Sequence, residues 1–290
     1  MSYLELDKAT GATVLVPGRK PKRKKRVNSF VAWQGASMLD GKPIVLLVIR
    51  AKGKANEKTG AMIQTYILRS DVSPLDALKT GKDFSICGNC KHRPIRTSSK
   101  KKRVKILPVN EANPEGNGTC YVQVQNAPTG IFKAFKRGSY PVLTLEEGRD
   151  NLTGSIVRMG SYGDPTAIPV PVWKELLTGT IGRTGYTHQW LNFPDFKAYC
   201  MASVDNPSEY ALALSQGWRC FYVVPKNVTV NTGKAFLCPA SEEAGKKLNC
   251  IDCLACDGVE SKRKASVYIP VHGVQFKQTR FNNLIQISKA

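Results

Sequence analysis

The chain has 290 residues, enough for one large domain or two smaller ones, and a chain of this size buries a core without needing disulfides. Hydrophobic residues make up 42% and charged residues 22%, a globular mixture rather than a disordered one. Its longest apolar run, PIVLLVI at 43–49, is too short for the ~20 residues that cross a bilayer, so no membrane role is expected. Lys and Arg number 43 against 22 Asp and Glu, a net charge of +21. That sign of potential attracts polyanions, of which nucleic acid is the commonest. The opening MSYLELDKATGATV has no basic-then-apolar pattern of a secretory signal, so the expected compartment is a cell's cytoplasm.

Residues 1–27 read as a disordered basic arm. In RKPKRKKR, Arg19, Lys20, Lys22, Arg23, Lys24, Lys25 and Arg26 are candidate phosphate contacts. Residues 28–150 form a β-rich part. IVLLVIR (44–50) and MIQTYIL (62–68) are predicted strands, and Ser73-Pro74 opens a short helix. A second basic run follows, with Lys100, Lys101, Lys102 and Arg103 as further candidate phosphate contacts. GTCYVQV (118–124) reads as a strand and 127–137 as a helix that Gly138 stops.

From 151 to 290 short strands and helices alternate. Strands are predicted at 155–159, 181–186, 201–204, 219–224, 235–238 and 266–271, and helices at 170–177, 194–199 and 207–216. This alternation argues for parallel strands with helical crossovers. The fold class expected is α/β: a partial or open βα barrel of about six mainly parallel strands, with an N-terminal β-rich part and Cys-rich metal-binding loops.

In such folds the reactive groups follow the carboxyl ends of strands. Asp164, His188, Asp205 and His272 all fall there, as candidate catalytic residues, with His188 as the acid/base group near neutral pH. Tyr162, Gly163 and Gln189 sit in the same strand-end loops as candidate cofactor contacts.

Nine cysteines in a reducing compartment are read first as metal ligands. Cys238, Cys250, Cys253 and Cys256 fall within nineteen residues, three of them at C-x2-C-x2-C spacing, which suits zinc or an iron–sulfur cluster. Cys87, Cys90 and Cys120 form a second group. His92 is a candidate fourth ligand for zinc; the alternative is a three-thiolate iron–sulfur cluster with one iron left open. Cys220 lies in an apolar strand and reads as core.

The motifs CGNCKHRP, GTCYVQVQNAP, FKRGSYP, VRMGSYGDP, TGYTHQW, MASVDNP, GWRCFYVV, CPASEEAG and CIDCLACDG, in that order, resemble a family of uncharacterised cysteine-rich phage proteins over residues 40–275. The resemblance implies a host cell's cytoplasm and a setting of phage DNA metabolism. The architecture is also similar to radical S-adenosylmethionine enzymes with an auxiliary cluster. That similarity implies a catalytic cluster on Cys87, Cys90 and Cys120, an auxiliary one on the C-terminal four, and S-adenosylmethionine as cofactor. The compact CxxxCxxC run of those enzymes is absent here. The function expected is a metalloenzyme acting on nucleic acid or nucleotides; the alternative is a non-catalytic nucleic-acid-binding protein with structural zinc.

Overall fold

The computed structural model describes residues 3–6, 13–16, 26–50, 57–93, 118–226, 228–230, 234–260, 265–273 and 275–287. Within the expected arm, β1 (Tyr3–Leu6) and β2 (Thr13–Val16) pair antiparallel.

Two five-stranded sheets form the body of the protein. The first starts with β3 (Ser29–Ala36), β4 (Pro43–Ile49) and β5 (Ile63–Arg69), paired antiparallel. The run Ile44 to Val48 is buried throughout, as a central strand covered on both faces must be. β5 then pairs parallel with β6 (Ile156–Tyr162), and β6 with β7 (Gly182–Thr184). Strands from 28–150 and from 151–290 therefore share one sheet.

The second sheet is wholly parallel. It comprises β8 (Tyr186–Thr187), β9 (Met201–Val204), β10 (Cys220–Val224), β11 (Ala235–Leu237) and β12 (Ser266–Pro270), in spatial order β11-β12-β10-β9-β8. Only Gly185 separates β7 from β8. One stretch of chain thus bonds to β6 with its first half and to β9 with its second. The ten strands do not close: β3 and β11 are the outermost strands of the series, so the structure shows mixed α/β sheets rather than a barrel.

The helices are α1 (Pro74–Thr80), α2 (Phe84–Cys87), α3 (Ala127–Lys136), α4 (Leu145–Leu152), α5 (Val170–Leu177), α6 (Pro207–Ser215), α7 (Cys250–Cys253) and α8 (Gln275–Ile287). Ser73 caps α1 and Asn206 caps α6 by accepting from the backbone N–H groups of Asp76 and Glu209. α4 escaped the sequence reading although Thr144 and Glu147 form a reciprocal capping box. The predicted helix at 194–199 is a 3-10 turn, Pro194–Ala198. Residues 118–124 are not a strand. They return along the first cysteine turn, where the Cys120 N–H donates to the His92 carbonyl and Lys277 donates to the Cys120 carbonyl, so those backbone groups are satisfied without a sheet. No helix among the described residues is long and apolar enough to cross a membrane.

Gly185 marks the seam between the sheets because nothing larger fits. A Cβ there would stand 2.8 Å from Cys200 Sγ and 3.2 Å from Met159 Cβ. Its N–H donates to the Cys256 carbonyl and its carbonyl accepts from Met201, so the backbone cannot simply retreat. Gly185→Ala should lower stability by about 1–3 kcal/mol, the usual cost of overpacking. Urea denaturation reads this directly, and an unchanged midpoint would contradict it.

Candidate functional site

The carboxyl ends of β6, β8, β10 and β12 open on one cavity of about 920 Å3. Of the residues singled out in the sequence, Tyr162, Gly163, Asp164, His188 and His272 line it, together with Cys87, Cys90 and Cys120. Asp205 and Gln189 stand outside the lining. Asp205 lies behind His92, and Gln189 donates to the Cys87 carbonyl at 3.2 Å, bracing the turn rather than facing the cavity. Arg19 to Lys25 and Lys100 to Arg103 lie outside the described residues; Arg26 is exposed and donates to the Thr153 carbonyl.

Asp164 follows β6 by two residues and is buried. Its Oδ1 accepts from the Thr166 N–H and hydroxyl at 3.0 and 2.8 Å, and its Oδ2 from the His188 N–H at 2.9 Å. Burial pushes this carboxyl above the ordinary value, against the hydrogen bonds that hold it down. Its oxygens are therefore committed to fixing the strand ends.

The first cysteine turn follows α2. Gly88 takes φ +54°, and a Cβ there would meet Gln189 at 2.6 Å. Arg93 secures the turn. It forks onto Asp83 at 2.8 and 2.6 Å and donates to the carbonyls of Gly88 and Gly81 at 3.1 Å each. Burial, and then Asp83, Cys90 and Cys120, push the Cys87 thiol well up; burial and Cys120 do the same for Cys90. Such thiols are poor nucleophiles. A bound cation is what would favour their thiolate forms, and three soft sulfur donors suit an iron–sulfur cluster or zinc. His92 does not serve as their fourth ligand in this arrangement. One ring nitrogen meets the Thr119 hydroxyl and the other faces Asp205.

His92 Nε2 lies 3.1 Å from the Asp205 carboxylate. Burial works against both charges, but the pairing outweighs it: His92 is raised, and Asp205, helped by His188 and Lys91, is brought down to about 2. His188 packs edge-on to His92, with ring centroids 5.1 Å apart. Burial, with the His92 charge behind it, lowers His188 to about 4. It stays neutral at pH 7, so the general-acid half of the expected acid/base role is not open to it there. Among the described residues, His92, His188 and Asp205 form the one group of three whose ligand atoms all lie within 4.8 Å of one another.

The second cysteine group lies against the other side of the cavity. Cys238, Cys250, Cys253 and Cys256 share one buried apolar cluster. Asn249 caps α7, so Cys250 and Cys253 fall one turn apart. Leu254 at φ +49° then reverses the chain toward Cys256, and its side chain fills the space over Gly182. Arg219 grips this loop as Arg93 grips the first: it donates to Asp257 Oδ1 at 2.9 Å and to the carbonyls of Gly258, Ala255 and Ala265. Cys256 is pushed up to about 12 by burial and by the other three thiols, against a hydrogen bond from Tyr186. The Arg158 guanidinium lies over the Tyr186 ring, 5.4 Å from its centroid, and faces the same cavity. Arg158, Tyr186 and Thr119 escaped the sequence reading. The first two lie on strands at sites of no distinctive spacing, and Thr119 stands out only beside Cys120.

Two expectations follow. Asp83→Ala leaves the Arg93 charge buried without its partner, so stability should fall by about 3–5 kcal/mol. Chemical denaturation measures it, and a loss well under 1 kcal/mol would mean that Arg93 is not held as described. In metal-free protein, folded His188 refuses a proton until about pH 4, whereas an unfolded histidine takes one near ~6.5. Acid then favours the unfolded chain across that window, so stability should drop as the pH falls through it. Denaturation midpoints at stepped pH test this, and a profile that His188→Leu leaves equally steep would rule it out.

The chain matches no protein-family model, no curated protein and no solved structure, so its function is inferred from the cavity's own residues.

Proposed function

We propose that the protein is a metal-dependent enzyme whose reaction centre is the cavity at the strand ends. In this reading Cys87, Cys90 and Cys120 hold an iron–sulfur cluster with one iron open to the cavity. Cys238, Cys250, Cys253 and Cys256 hold a second cluster. The observation that carries the reading is that the first three thiols open on the same cavity that the second cysteine loop borders. A cluster supplies one-electron chemistry when bound. Zinc is the alternative that the same thiolate donors also suit.

The chain's own residues then have defined tasks. Arg93 and Arg219 hold the cysteine loops by buried charge-assisted bonds. Asp164 fixes the ends of β6 and β8. Arg158, Lys58, Lys246 and Lys247 line the cavity beside Glu57, Asp164, Glu242 and Asp252, so its wall offers groups of both signs; the chain's net charge of +21 is what supports a nucleotide or a nucleic-acid end as substrate. Tyr162 and Gly163 border the first thiol group and suit contact with a cosubstrate such as S-adenosylmethionine.

Metal and sulfide analysis of protein purified without oxygen tests the proposal. Brown protein with iron and acid-labile sulfide is expected. Cys90→Ser should remove the iron of one centre, and Cys253→Ser that of the other. Colourless protein with stoichiometric zinc would overturn it and favour a nucleic-acid-binding protein with structural zinc, whose affinity should fall steeply with salt.

A further inference from the structure

His92, His188 and Asp205 reach one point from three parts of the chain: the turn after α2, the end of β8 and the end of β9. Their ligand atoms all lie within 4.8 Å of one another, close to what one ion with bonds of ~2.0–2.2 Å requires. The His92–Asp205 ion pair explains two of the three groups. It leaves His188 Nε2, which is buried and has no hydrogen-bond partner among the described residues. Such orphaned atoms are rare and call for a ligand or a reason. Thr119 meets the Nδ1 of His92 and so fixes the ring with Nε2 toward the group, as an outer partner orients a metal-binding histidine. Asp164 holds the backbone of His188 at the end of β8 by accepting from its N–H.

Two imidazoles and one carboxylate are the donor set of mononuclear sites that leave open positions for water or substrate. Both histidines line the cavity. We propose that His92, His188 and Asp205 bind one divalent first-row transition ion, separate from both thiol groups, with its open positions toward the cavity. Nitrogen and oxygen donors select differently from thiolates, so this site stands whether the cysteines hold iron–sulfur clusters or zinc.

The test adds Co2+ to the full-length protein after purification without oxygen and dialysis against EDTA. One equivalent should bind, giving weak visible bands without the near-ultraviolet sulfur-to-metal band that thiolate ligation produces. His188→Ala should weaken binding by about 100-fold or more, since loss of an outer partner alone costs ~10–100-fold. His272→Ala, on the same cavity, should leave it unchanged. If circular dichroism shows His188→Ala to be unfolded, Thr119→Ala serves instead, with ~10–100-fold weakening expected. No Co2+ bound beyond what a sulfur-to-metal band accounts for, or binding unaltered in the folded variant, would each overturn the proposal.

Discussion

The buried Asp164 carboxylate is the tie on which the cavity's geometry depends. Its backbone N–H donates to the Ile86 carbonyl, next to the first cysteine, and its side chain holds Thr166 and His188. Three segments far apart in sequence are thereby set at one level: the cysteine turn, the end of β6 and the end of β8. A carboxylate removed from water is stable only with several donors around it, and these donors are the ends of the elements it positions. The tie is therefore strong where the chain is otherwise irregular.

The two cysteine loops repeat a second device. Each lacks regular structure long enough to satisfy its own backbone, and each wraps around a buried arginine. Arg93 collects two carbonyls and a carboxylate; Arg219 collects three carbonyls and a carboxylate. The planar guanidinium, with five donors in a rigid fork, suits this work better than a lysine would. The loops are thus held by the protein itself. The carbonyls that a strand or helix would have satisfied are satisfied by charge instead.

Much of the fold was legible along the chain. Alternating strands and helices after residue 150 indicated parallel pairing, and β9, α6 and β10 show it plainly. Cys250, Cys253 and Cys256 share a buried cluster with Cys238, a nearness that their short separation in the chain already suggests. The loops that follow the strand ends mark His188 and Asp205 in the sequence. Less visible was 118–124, whose β-like composition lost to the bonds that draw Cys120 back to His92. His92 was visible only as an appendage of the CGNC turn. Its pairing with Asp205 joins residues 113 positions apart, and no local pattern encodes that.

The sequence by itself determined the composition of the cysteine groups, the basic charge and the periods of the strands and helices, because these depend on near neighbours. Tertiary structure alone decided that β5 and β6 pair across the middle of the chain, that the sheets meet at Gly185 without closing, and that Asp164 serves as a tie. It also decided that burial lowers His188 while the Asp205 carboxylate raises His92. Two residues of one type shift in opposite directions there because their partners differ, and burial and partner are properties of the folded chain.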